Sequence, residues 1–223
     1  MADTELLIRK IKSKLRKSMD GIVSASMREK GLDYRLNFGV NIPTLRRISG
    51  EFEANIELAK ALWKEEIREL KILATMLYPV ESFTKENAEK WCSQIANQEI
   101  REQVCMNLFQ YLSFASELVN LWTVDADENI RTTGYWLFAR LVIIHSDQLP
   151  NIDIRNVVEH AFPDISSQNM FLKQSAINVL KFAGRQSPET ASAILQKIKM
   201  LADSDDTTYS EIYSLLQFEF EYE

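Results

Sequence analysis

The sequence is short of the residues that form tight turns and reactive centres. Its 223 residues include only 6 glycines and 5 prolines, which favours helices joined by short loops. The two cysteines, Cys92 and Cys105, and the two histidines, His145 and His160, do not form any spacing typical of a metal site or a metalloprotease. We therefore predict that the protein uses no metal.

Long apolar segments are also missing. No run approaches the roughly 18 residues that a membrane helix requires, and the N-terminal residues are charged where a signal peptide would be apolar. Two cysteines without a disulfide pattern indicate a reducing compartment. These features predict a soluble, cytoplasmic protein that does not contact membranes, and we expect a monomer.

The net charge of −6 is distributed unevenly. Residues 1–47 contain 11 Lys and Arg against 5 Asp and Glu, whereas residues 203–223 contain 7 acidic residues and no basic one. A local basic surface can attract phosphates at any overall pI, although basic helix faces are often simply solvated. Within one domain spanning 1–223, we predict basic N-terminal helices over 1–47 and an acidic C-terminal cap over 203–223. That segment could close the end of the chain or fold back on the basic region.

Apolar residues recur with helical spacing along nearly the whole chain. Ile11 and Leu15 belong to one such stripe. Thr84 and Ser187 stand where helices are expected to begin, and Pro43 suits the first turn of another. The alternation typical of strands is nearly absent. We predict an all-α chain of about twelve helices, arranged as six pairs.

A repeat of about 30 residues organises these helices. Late in three amphipathic helices stands a tryptophan: Trp63, Trp91 and Trp122. The helix that follows begins in each case with an Ile-Arg pair, which contains Arg68, Arg101 or Arg131. Helix pairs at this period predict an α-α superhelix, in which each pair buries its apolar side against its neighbours. The recurring tryptophans are expected in that core.

The segment DENIRTTGYWLFARL resembles a HEAT repeat most closely. In such a repeat the isoleucine of the pair points into the stack, and the arginine lies at the edge of the core face. Arg131 could bond to helix ends and to acidic residues such as Asp127 and Glu128, or it could face a ligand. Tyr135 and Trp136 follow Gly134. Either of them could pack in the core, or one could face the groove and stack on a nucleotide.

Two further stretches extend the resemblance beyond HEAT repeats in general. They are NFGVNIPTLRRI at 37–48 and LWKEEIRELKILATML at 62–77. With the repeat layout, they resemble the AlkD-type DNA alkylation repair glycosylases over essentially the whole chain. The resemblance implies a HEAT-like solenoid that holds duplex DNA in a basic concave groove and excises N3- and N7-alkylated purines without a cofactor. Two tryptophans and an aspartate would stabilise the positive charge that develops on the sugar, and an arginine would hold the backbone.

The four chemical positions of that family are substituted here. The resemblance places its first tryptophan at Arg101, its aspartate at Cys105, its arginine at Gly134 and its second tryptophan at Asn178. A thiol does not supply the fixed negative charge of an aspartate unless its pKa is strongly lowered. A guanidinium at position 101 has the wrong sign to stabilise a developing cation. The sequence therefore favours the fold and a DNA ligand, and it argues against the chemistry of the family.

Three functions remain open. The first is binding of duplex or branched DNA, alkylated DNA included, without the usual glycosylase activity. The second is an active alkylpurine glycosylase that uses other groove residues, and the third is a HEAT-repeat scaffold that binds a protein segment. We assign no catalytic residue, and our candidates for contact with DNA are basic: Arg46, Arg68, Arg101, Arg131 and Lys173.

Overall fold

The prediction of an all-α chain is confirmed. The computed structural model describes residues 2–32, 34–202 and 207–221. In these ranges the chain forms thirteen α-helices and no strand, although Leu36 and Ile67 form one isolated bridge. The helices are α1 Ala2–Lys17, α2 Gly21–Glu29, α3 Ile42–Ser49, α4 Ile56–Trp63, α5 Arg68–Leu77, α6 Lys85–Ser93, α7 Gln98–Asn107, α8 Ala115–Trp122, α9 Glu128–Ile143, α10 Ile154–Asp164, α11 Met170–Gly184, α12 Pro188–Ala202 and α13 Thr207–Glu221. Residues 203–206 and 222–223 of the predicted acidic cap lie outside the described residues.

Polar side chains fix the helix starts where the sequence indicated them. The Thr84 hydroxyl accepts a hydrogen bond from the backbone N–H of Asn87, at the start of α6. The Ser187 hydroxyl accepts one from the N–H of Thr190, just after α12 begins at Pro188. Both bonds satisfy backbone donors that the first turn of a helix leaves unpaired. Pro43 likewise lies in the first turn of α3.

The described residues fall into two compact units, 1–112 and 113–223. In the first unit, α4 packs against α5, and α5 packs against both α3 and α7. The indole rings of Trp63 and Trp91 stack with their centroids 4.1 Å apart and their planes 1° from parallel. Tyr78 and Phe83 pack edge-on against Trp91. The tryptophans of the repeat therefore form the core of this unit, as predicted.

The second unit consists of three helix pairs. α8 packs on α9, α10 on α11, and α12 on α13, while α11 also contacts α9 and α13. Trp122, at the end of α8, is buried in this unit. Helix α13 carries much of the acidic tail, and its Glu219 forms ion pairs with Lys181 of α11 and with Arg185, the residue after α11. This part of the tail packs on the last helices of the chain.

Side chains about one repeat apart are hydrogen-bonded to each other within each unit. The Trp63 indole donates to Gln94, 31 residues away, and the Asn107 amide donates to Thr75, 32 residues away. In the second unit, the amide of Asn120 donates to the carbonyl of Asn151, 31 residues away. These bonds join consecutive helix pairs. The period found in the sequence is therefore the period of the fold.

Candidate nucleic-acid interface

Arg68 begins α5 and points into the first unit. Its side chain is only 2% exposed. The guanidinium binds Glu99 through Nε, at 2.9 and 3.1 Å, and through Nη2, at 2.6 Å. Its Nη1 donates to the Val40 carbonyl at 2.8 Å and to Glu69 at 3.0 Å. Arg68 was predicted to contact DNA, but its donors are directed at protein acceptors and its burial argues against contact with a phosphate.

The groups around Arg68 carry a net negative charge. Burial alone would raise the pKa of Glu99, but hydrogen bonds from Arg68 and Tyr34 outweigh it and hold that pKa below its usual value. Burial and the Glu99 carboxylate raise the pKa of Tyr34, so its phenol stays neutral and donates to Glu99 at 2.6 Å. Burial would lower the pKa of Arg68, yet Glu99 and Glu69 raise it overall. One cation therefore faces two carboxylates, and the cluster does not attract phosphate.

The same cluster explains the most family-like stretch, NFGVNIPTLRRI. The Glu69 carboxylate accepts hydrogen bonds from the backbone N–H groups of Phe38 and Val40, at 3.0 and 3.2 Å. Between them, Gly39 has a φ of 70°, and a Cβ there would lie 2.1 Å from the Asp20 carbonyl oxygen. Only glycine fits this backbone and this close approach. The first part of the motif, before α3 begins at Ile42, is thus a structural loop held by α5.

Replacing Glu99 with glutamine is expected to change the pH dependence of stability. The folded pKa of Glu99 is lowered, so its charge stabilises the fold above the unfolded value of about 4.3 and ceases to do so as pH falls through the folded value. The difference in free energy of unfolding between the native protein and Glu99→Gln should be largest near neutral pH and shrink below about pH 4. Urea unfolding at several pH values measures this difference. A difference that stayed constant with pH would contradict the ion pair between Glu99 and Arg68.

Arg131 has a similar role in the second unit. Its Nε and Nη2 donate to the two carboxylate oxygens of Asp164 at 2.9 and 3.0 Å, and its Nη1 donates to the carbonyls of Asp125 and Ala126. The hydrogen bond with Asp164 raises the pKa of Arg131. The carboxylate comes from α10, in the next repeat, and the side chains of Asp127 and Glu128 do not bind the guanidinium. Asp127 instead caps α9.

Two of the family's chemical positions lie on α7 and are buried. Arg101 is 4% exposed and its Nη1 donates to Gln98 at 2.6 Å. Burial lowers the pKa of the Arg101 guanidinium, although the neighbouring Cys105 and Cys92 partly offset this. Cys105 is 0% exposed. Neither side chain presents a charged group to solvent, so this surface of α7 lacks the aspartate and tryptophan that the family's reaction requires.

At Gly134, where the family has its arginine, close packing leaves no room for a side chain. Gly134 lies inside α9, where a Cβ would come within 2.9 Å of the Trp122 Cβ and of the Thr123 backbone nitrogen. These atoms belong to the end of α8 and to the residue after it. The glycine allows the two helices of this repeat to approach closely. A side chain at position 134 would therefore point into the helix interface.

Two predicted contacts remain accessible. Arg46 is exposed on α3, and its Nη2 lies 3.8 Å from the sulfur of Met106. Lys173 is half-buried on α11. Neither of them forms an ion pair with any carboxylate of the described ranges. Their positive charges remain available for phosphate oxygens, and the prediction that they contact DNA stays a prediction.

A cavity of about 210 Å³ opens between α9 and α11 of the second unit. Its lining combines aromatic, aliphatic and polar side chains: Trp136, Phe182, Ile143, Asn178, Arg140 and Lys181. Trp136 is half-buried here, whereas its neighbour Tyr135 is fully buried and donates to Asp164 at 2.8 Å. Of the two aromatics considered for a groove, Trp136 is the one beside open space.

The described part of the chain contains neither a membrane-spanning helix nor a cluster of metal ligands. No helix there is long and apolar enough to cross a membrane. Nor do those residues include a group of three or more His, Cys, Asp and Glu side chains that could hold a metal ion.

Comparison with known proteins establishes the class and then the family. A solved structure of a protein from a new family related to the HEAT-like repeat DNA glycosylases, with affinity for branched DNA structures, superposes with a TM-score of 0.72. The match covers 86% of this chain and 81% of the other at 14% identity, so it shows a shared HEAT-like fold. The family model described as DNA alkylation repair enzyme matches residues 11–209. The chain belongs to that family. No curated protein gave a significant match.

The sequence reasoning missed two groups of residues. The first consists of the carboxylates that the repeat arginines bind and of the phenol that donates to one of them: Glu69, Glu99, Asp164 and Tyr34. The second is the lining of the cavity between α9 and α11, where Arg140 was not considered. Glu99 and Asp164 follow Arg68 and Arg131 by 31 and 33 residues, close to the period of the repeat, but nothing in the sequence marks either carboxylate as the partner of an arginine.

Proposed function

We propose that this protein binds branched DNA and does not excise alkylated bases by the reaction of its family. The observation that carries the proposal is the burial of position 105, where the family places an aspartate and this chain has a fully buried cysteine. A carboxylate close to the sugar is what that reaction needs. Binding of a phosphate backbone does not need it, because cations at the surface suffice.

Family membership and the related structure support the DNA ligand. The chain belongs to the DNA alkylation repair enzyme family, and the protein with a matching fold has affinity for branched DNA structures. Among the cations predicted to contact DNA, Arg46 and Lys173 are accessible and lack an ion-pair partner in the described ranges. We assign the phosphate contacts to these two. Arg68 and Arg131 we assign to stability.

Removing the charge of Arg46 should weaken binding and reduce its dependence on salt. Each phosphate contact contributes about 0.9 to the slope of log K against log salt concentration, so Arg46→Gln should lower the magnitude of the slope by about 1. The affinity is measured by fluorescence anisotropy with a labelled four-way junction, at salt concentrations from about 25 to about 200 mM. Lys173→Gln should act in the same way.

Arg47→Gln is the matched control on the same helix. It removes the same charge, but Arg47 already pairs with Glu51 at 3.1 Å, so its slope should change less than that of Arg46→Gln. A base-release assay on methylated duplex DNA tests the second half of the proposal. Free 3-methyladenine or 7-methylguanine above the uncatalysed background would refute it, and the absence of junction binding at low salt would refute the first half.

A further inference from the structure

We propose that the cavity between α9 and α11 receives an unpaired nucleobase from bound DNA. This inference rests on the proposed function, because the base must be delivered by a bound strand, and it adds the chemical group that the protein recognises. Branched DNA with a fork or a flap exposes unpaired bases at the point where its strands separate.

The walls of the cavity suit an aromatic ring. Trp136 of α9 and Phe182 of α11 line it together with Ile143. Aromatic side chains stack on bases of any sequence, because every base has a π-face. The Arg185 guanidinium lies 5.5 Å from the centroid of the Phe182 ring, a cation–π contact that helps hold that ring in place. The lining therefore offers apolar surface from two neighbouring repeats.

Polar groups give the cavity a second property of base-binding sites. Asn178 lines the cavity with an amide that can donate and accept hydrogen bonds. Carbonyl oxygens and ring nitrogens of a base are acceptors for the N–H groups of such an amide.

The charge around the cavity matches a nucleic-acid strand. Arg140 and Lys181 line it, and Lys181 forms an ion pair with Glu219 of α13 at 2.6 Å. Two of the side chains that line the cavity beside its aromatic walls are therefore basic. A phosphate attached to the inserted nucleotide would be attracted rather than repelled. Asn178 occupies the place of the family's second tryptophan, and its smaller side chain leaves this space open.

The test compares DNA ligands that differ only in one base. Duplexes carry either an unpaired thymine or an abasic unpaired site, and a fully paired four-way junction serves as a third ligand. Stacking of one base is worth roughly 1–3 kcal/mol, so the native protein should bind the thymine duplex at least about fivefold more tightly than the abasic duplex. Equal affinities for both would overturn the inference while junction binding still upholds the proposed function. No binding to any of the three would overturn both.

Filling the cavity should abolish the discrimination. Asn178→Trp places a large ring in the space, and its ratio of affinities for thymine and abasic duplexes should fall to about one. Gln174→Trp makes the same exchange one turn earlier on α11, at an exposed residue outside the cavity lining, and should keep the native ratio. Loss of the ratio in both variants, or in neither, would contradict the assignment.

Photo-crosslinking tests the inference with the native protein, so the result does not depend on whether a variant folds. An unpaired 5-iododeoxyuridine in the duplex, irradiated in complex with the native protein, should crosslink to Trp136 or Phe182, located by mass spectrometry. The same nucleotide in a paired position should give a much lower yield at these residues. Crosslinks elsewhere on the chain, or equal yields from the paired position, would overturn the inference.

Discussion

Replacing Arg68 with methionine should lower the free energy of unfolding by about 3–5 kcal/mol, because removing one partner leaves buried carboxylates without their cation. Glu69 is 0% exposed and would keep only its backbone donors from Phe38 and Val40. Glu99 would keep the hydrogen bond from Tyr34. Methionine approximates the length of the arginine stem, so the loss reports on charge and hydrogen bonding more than on packing. Urea unfolding followed by circular dichroism measures it.

Two further variants separate the ion-pair cluster from a general effect of charge. Arg46→Met removes an exposed arginine and should change stability by no more than about 0.5 kcal/mol. The double variant Arg68→Met with Glu99→Gln removes the cation and one of its carboxylates, so it should be less destabilised than the sum of the single variants. If the losses in free energy of unfolding were additive, Arg68 and Glu99 would not be coupled. If Arg68→Met lowered this free energy by less than about 1 kcal/mol, the structural role assigned to Arg68 would be wrong.

The architecture could be predicted from the sequence because its signals are local and repeated. Trp63, Trp91 and Trp122 recur late in successive helices, and their burial follows from the apolar face on which each one lies. Helix starts at Thr84 and Ser187 depend on residues only three positions away. Three copies of one pattern at one spacing also define the stacking period. None of these inferences requires knowledge of contacts beyond the next helix.

The orientation of the repeat arginines could not be predicted in the same way. An arginine at the edge of a core face can turn inward or outward, and its direction depends on whether the next repeat supplies an acceptor. Arg131 finds Asp164 at the end of α10, 33 residues later, where no motif marks the carboxylate. Arg68 finds Glu99 at the start of α7. The two acceptors stand on different helices of their repeats, so one arginine does not predict the other.

The cavity between α9 and α11 could not be predicted from the sequence for a related reason. Trp136 and Asn178 lie 42 residues apart on neighbouring second helices, and their side chains meet only because those helices pack together. The resemblance showed that Asn178 replaces a tryptophan of the family. The open space that this smaller side chain leaves depends on the sizes of Ala139, Ile143 and Phe182 around it. Cavities follow from packing, which a single sequence does not specify.

Restoring the family's arginine at position 134 should destabilise the protein strongly. A Cβ alone would lie 2.9 Å from Trp122 and Thr123, so Gly134→Ala should cost about 1–3 kcal/mol through overpacking, despite the better helix propensity of alanine. Gly134→Arg adds a guanidinium to the same interface, where an unpaired charge costs several kcal/mol more. Thermal melting followed by circular dichroism should show a large fall in Tm for alanine and loss of the folded state for arginine.

Asn178→Trp is the control for this comparison, because it restores another of the family's residues at a half-buried position that lines a cavity. It should melt close to the native protein. If Gly134→Arg melted there as well, position 134 would have to face solvent, and an arginine at that position could then hold a DNA backbone. If it unfolds, the close packing of α8 on α9 excludes the family's arginine, and a single substitution cannot rebuild that part of the reaction. The glycine would then be a requirement of this repeat's packing.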